Sequence, residues 1–120
     1  MPMSKFTVEI YAKADGKEPV NEFLYELPDK MRAKVLQEIR LFSDFGNELR
    51  EPYSKLLEDG IYELRAKQGS DISRVLYFFV VGRKIILTNG FVKKTQKTPE
   101  SKIELAKKYR DDYIHRQKGE

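Results

Sequence analysis

Five cations, Arg65, Arg74, Lys93, Lys94 and Lys97, fall within three chain-adjacent segments between Gly60 and Pro99. Arginine presents a planar fork of donors that keeps its charge and matches the oxygens of a phosphate, and lysine adds a compact point charge. Held on a rigid sheet, such a set would grip and polarise a phosphate group. The competing reading for Arg65 and Arg74 is an ordinary ion pair with an acid such as Glu63 or Asp71. Lys93 and Lys94 are consecutive, so on an extended chain one of them faces any groove and the other faces out. Lys97 suits a solvated loop as well as a phosphate contact. Glu63 shares the strand face of Arg65 by period two, and reads either as a general base beside a cation or as the acid that orients Arg65.

The elements that must hold these residues follow from periodicity. Residues 6–11 (FTVEIY) alternate and are rich in β-branched and aromatic types, which predicts a first strand. Pro19 suits the first turn of a helix carrying Phe23, Leu24 and Leu27. Met31, Val35, Ile39 and Phe42 recur at helical steps and predict a second helix over 29–44, stopped near Gly46. A linking segment broken by Pro52 follows, with Tyr53, Leu56 and Leu57 tucked under the sheet. From Gly60 three strands at meander spacing are expected, over 61–67, 73–81 and 84–92. Thr98-Pro99-Glu100 then reads as a helix start, with Thr98 as cap and Ile103, Ala106, Tyr109 or Arg110, and Tyr113 facing inward. The expected fold class is α+β, in the order β-α-α-β-β-β-α. Its sheet is four-stranded, mixed and mostly antiparallel, with the helices packed on one face.

Composition narrows the chemistry further. The 120 residues fit one domain, 1–120, with a single core. Charge is uneven: residues 1–59 carry −3 and residues 60–120 carry +7, which suggests a face for polyanions in the second half, with surface lysines that keep a small domain soluble as the competing reading. There is no cysteine, so disulfides and thiolate metal sites are excluded. No His, Asp and Glu set has metal-ligand spacing along the chain, and neither a metal nor a cofactor is expected. No Gly-rich phosphate loop or Ser/His/Asp arrangement is present. The sole histidine, His115, lies on the expected last helix, where solvent exposure is the simplest reading. No apolar run is long enough to span a bilayer and the first residues lack a signal-peptide core, so a cytoplasmic setting is expected.

Glu63-Leu64-Arg65, Ser73-Arg74-Val75-Leu76-Tyr77 and the long block from Phe91 to Pro99 (FVKKTQKTP) resemble the RelE/ParE superfamily of type II toxin–antitoxin toxins, in its HigB-like, phage-derived branch. The resemblance extends upstream through residues 51–56 and covers most of the chain. It implies a ribosome-dependent mRNA endoribonuclease, neutralised by a cognate helix-turn-helix antitoxin. It also implies that Arg65 and Arg74 contact the scissile phosphate, with Lys93, Lys94 and Glu63 as further catalytic candidates. Lys55, Lys97, Gln96, Tyr77 and Phe91 are then candidates for RNA contact, although core packing competes for the aromatics and Tyr77 falls on the strand face opposite Arg74. Metal-free cleavage needs a base for the 2′-hydroxyl, cations for the phosphorane and help for the leaving oxygen. Two other readings stand beside it: a ParE-like gyrase inhibitor on the same fold, against which the retained Arg65, Arg74 and lysine block argue, and an inactive phage-derived RNA-binding module.

Overall fold

The computed structural model describes residues 6–45, 54–93 and 97–118. Its elements are β1 (Thr7–Ile10), α1 (Pro19–Glu26), α2 (Asp29–Phe45), β2 (Ser54–Glu58), β3 (Ile61–Gln68), β4 (Asp71–Val80), β5 (Lys84–Lys93) and α3 (Glu100–Lys118). They form an α+β domain around one sheet in the order β1-β5-β4-β3-β2. Among the described strands only the β1–β5 pair is parallel, so the sheet is mixed and mostly antiparallel as expected. No described helix is long and apolar enough to cross a membrane. The positions of Gly46, Pro52 and Tyr53 lie outside the described residues.

The strand count differs from the expected four. Residues 54–58, anticipated as part of a linking segment, form β2 on the sheet edge and pair antiparallel with β3. The connection explains why. Asp59 and Gly60 both have positive φ, at 51° and 77°, the combination a tight two-residue hairpin requires. That turn returns the chain onto β3 and places Lys55 opposite Glu63.

Alternation along the strands divides the core in two. Leu64, Ala66, Val75, Tyr77, Ile85 and Leu87 pack with Val20, Leu24, Met31, Val35 and Phe42 of α1 and α2. Ile61, Leu76, Phe78, Ile86 and Phe91 pack with Ala106 of α3. The expectation of one helical face therefore holds for the α1–α2 hairpin, while α3 is laid against the alternate residues. The inward residues expected on α3 are in place, with Ile103 and Ala106 buried.

A β-bulge decides what the last strand presents. Leu76 pairs with Asn89 but Tyr77 pairs with Leu87, so Thr88 is the extra residue. Its hydroxyl donates to the Leu76 carbonyl at 3.0 Å. Before the bulge, Ile85 and Leu87 face the hairpin; after it, Phe91 faces α3 and the Asn89 amide donates to the Lys102 carbonyl at 3.4 Å. Gly90 now faces α1, where a Cβ would stand 2.4 Å from Phe23 Cδ2. Gly90→Ala is expected to destabilise the fold by about 1–3 kcal/mol in urea denaturation, by forcing the Phe23 ring off the sheet.

One buried acid works against the fold at neutral pH. Glu38 of α2 is 4% exposed, and its Oε1 has no hydrogen-bond partner among the described residues. Burial raises its pKa above the ordinary carboxylate value, opposed by Lys34. A carboxyl with a raised folded-state pKa favours folding below its unfolded pKa, and that contribution is lost as pH rises through the folded value. Glu38→Gln should flatten this dependence and stabilise the protein at pH 7 by about 1 kcal/mol, read from chemical denaturation across pH 4–7.

Candidate functional site

Arg65 on β3 and Arg74 on β4 sit directly opposite each other in the sheet register. Two like charges so placed repel unless an acid lies between them. Glu63 supplies it, and its carboxylate is fully buried. Arg65 Nε donates to Glu63 Oε2, and the Thr98 hydroxyl donates to Glu63 Oε1. Arg74 Nη1 donates to Thr98 Oγ1 at 3.1 Å and lies 3.9 Å from Glu63 Oε1. Burial holds the Arg74 guanidinium below its ordinary pKa, Glu63 draws it back up, and Arg65 opposes it in turn. The hydroxyl expected to cap α3 is thus engaged by a buried charge pair. The Pro99 carbonyl accepts the first helical bonds, from Lys102 at 3.1 Å and Ile103 at 3.4 Å.

The two arginines differ in access. Arg74 is fully buried, whereas the Arg65 side chain is 16% exposed. Arg65 opens into a cleft of about 400 Å³ between β2, β3 and the approach to α3. Lys55 and Lys97 add cations to this cleft, Thr98 a hydroxyl, and Leu56, Leu57 and Ile103 its apolar part. Glu58 and Glu100 line it as well. A space of this size falls within the range of ordinary small-ligand sites.

Sequence spacing did not reveal this acidic side. The β2–β3 hairpin and the start of α3 bring carboxylate oxygens of Glu58, Glu100 and Glu104 within 4.8 Å of one another. Lys107 lies among them, 2.6 Å from Glu58 and 3.1 Å from Glu104. These two acids raise the Lys107 pKa above its ordinary value. The pKa of Glu100 is also raised, first by the charge of Glu58.

The remaining anticipated residues divide clearly. Lys93 is exposed at the end of β5 and pairs with Ile72, two residues from Arg74 on the same strand face. Lys94 and Gln96 lie outside the described residues. Tyr77, a candidate for RNA contact, is instead a core residue. It is fully buried, stacked on Tyr62 with ring centroids 5.4 Å apart, and its hydroxyl lies 2.7 Å from Ser54 Oγ. Phe91 is likewise buried against α3, with the Lys102 ammonium 5.6 Å from its ring centroid. Neither ring is open for a base to stack on. His115 is exposed on α3.

Residues 22–111, which include the cleft and the buried charge network, match the family described as phage-derived protein Gp49-like. The chain belongs to this family. It is also similar to the proteins named Probable endoribonuclease HigB1 from two strains of Mycobacterium tuberculosis. Each is 34% identical over 97 residues, covering 79% of this chain and 74% of the relative. The resemblance to the HigB-like branch, carried by the two arginine strands and the block from Phe91 to Pro99, is therefore supported across most of the chain. In this family member, three elements meet at one buried carboxylate. Glu63→Ala would leave Arg74 buried without that counter-charge and should cost about 3–5 kcal/mol in chemical denaturation. Glu63→Gln, which keeps an acceptor for Thr98, should cost less.

Proposed function

We propose that this protein is the toxin of a type II toxin–antitoxin pair, an endoribonuclease that cuts mRNA on the ribosome and so stops translation in the cytoplasm. The observation that carries this reading is the cleft in which Arg65, braced by Glu63, stands with Lys55 and Lys97. The likeness to the HigB1 endoribonucleases supports RNA as the substrate of that cleft.

The chemistry follows from the placement of charge. The ribose 2′-hydroxyl attacks the adjacent phosphorus, and negative charge grows on the phosphorane oxygens. Arg65 meets that charge with donors already oriented by Glu63, so little reorganisation is needed at the moment of reaction. Lys55, Lys97 and Lys93 hold the flanking backbone. Arg74 is a positioning residue: it acts through Thr98 and Glu63 and does not itself reach the cleft. No metal or cofactor is assigned a role. An open cleft of this kind orients an RNA chain weakly by itself, and the ribosomal A site supplies the missing alignment. The cognate antitoxin, a helix-turn-helix protein in this reading, neutralises the toxin by covering the cationic cleft or by blocking entry to the ribosome.

The test is induced expression, together with cleavage of mRNA on purified programmed ribosomes. Wild-type protein should arrest translation and cut mRNA, and a 2′-deoxy substitution at the scissile nucleotide should abolish cutting. Arg65→Ala should reduce the cleavage rate by about 100-fold or more. Filamentation with DNA damage and intact mRNA would replace this reading with gyrase inhibition. Absence of any growth effect or cleavage would point to an inactive RNA-binding module.

A further inference from the structure

The cationic side of the cleft accounts for phosphate stabilisation but not for the proton that must leave the 2′-hydroxyl. Glu63 is poorly placed for that task, because it is fully buried and its two oxygens accept from Arg65 and Thr98. Two other carboxylates line the cleft, Glu58 and Glu100. They are not equivalent. Glu58 is held by Lys107 at 2.6 Å, and the same ammonium holds Glu104 at 3.1 Å. Glu100 takes part in no ion pair among the described residues, yet its carboxylate stands within 4.8 Å of theirs.

Building on the proposed RNA cleavage, we propose that Glu100 is a catalytic residue, the general base that takes the proton from the attacking 2′-hydroxyl. Its position is fixed from below. Thr98, two residues earlier, is tied to Glu63 and Arg74, and the Pro99 carbonyl anchors the first turn of α3. The anchored segment therefore presents Lys97 and Glu100 to one cleft, with Arg65 entering it from β3. In the step assigned here, the O2′–P bond forms as the P–O5′ bond breaks. The 2′ proton passes to the Glu100 carboxylate and then to solvent, and the departing 5′ oxygen takes a proton from solvent water. The products are a 2′,3′-cyclic phosphate and a 5′-hydroxyl.

The surroundings suit a base. The negative charges of Glu58 and Glu104 raise the proton affinity of Glu100, while Lys107 offsets part of their effect. A carboxylate with a raised pKa is a better proton acceptor near neutral pH than an ordinary one. Arg65, Lys55 and Lys97 line the same cleft.

Single-turnover cleavage of mRNA on programmed ribosomes, measured from pH 5 to pH 8, tests the assignment. Glu100→Gln should slow cleavage by about 100-fold or more and remove the acidic limb of the pH–rate profile. Glu100→Asp should restore part of the rate, and Glu58→Gln should move the acidic limb to lower pH. A Glu100→Gln protein that cleaves within about tenfold of wild type, or keeps the acidic limb unchanged, overturns the assignment while leaving the endoribonuclease reading intact. Wild-type protein that cuts no mRNA overturns both.

Discussion

The arrangement depends on one buried carboxylate. Glu63 sits under the sheet surface with Arg65 on its own strand, Arg74 on the next and Thr98 at the approach to the last helix. Removing a carboxylate and a guanidinium from water costs several kcal/mol for each ion, and mutual attraction offsets this only where the remaining polar atoms are also bonded. Such a network is a poor way to gain stability but an effective way to fix geometry. It sets the side chain of Arg65, and through Thr98 it fixes the point at which α3 leaves the sheet. Both sides of the cleft then inherit their positions from the same anion.

The bulge at Thr88 is the second constraint, and it acts on which residues face which layer. Without the extra residue, Phe91 and Lys93 would share the face of Ile85 and Leu87, under the α1–α2 hairpin. With it, Phe91 closes the α3 side of the core and Lys93 joins the face of Arg74. The same shift turns Gly90 toward the Phe23 ring, where a residue without a side chain is needed. Packing and charge placement are thus solved by one backbone irregularity.

Much of the fold was legible because it depends on local signals. The helical steps of Met31, Val35, Ile39 and Phe42 and the alternation after Gly60 each identify an element without knowledge of its neighbours. The β2 strand was missed because it is short and two of its five residues are exposed, although Asp59-Gly60 is a recognised hairpin signal and could have found it. The bulge could not be read, since a one-residue change of register leaves the apolar pattern of β5 intact. Among site residues, the choice between Lys93 and Lys94 depended on that register. The pairing of Glu63 with Thr98, 35 residues apart, is a tertiary contact that no local spacing encodes. Tyr77 illustrates the converse error. An aromatic near two arginines suggests stacking, but its strand parity had already assigned it to the hairpin face and the core.

The division of the cleft into opposite charges follows from the same topology. The +7 carried by residues 60–120 suggests a uniformly basic surface, yet the hairpin brings Glu58 from the acidic half against Glu100 and Glu104. Net charge over a segment describes long-range attraction of a polyanion, and it does not describe the site where chemistry occurs. A purely cationic cleft stabilises the charge that grows on a phosphorane but offers no acceptor for the proton of the attacking hydroxyl. A carboxylate beside those cations is such an acceptor. It weakens the grip on the polyanion slightly and, where it receives a proton only as the reaction proceeds, favours the transition state over the bound substrate.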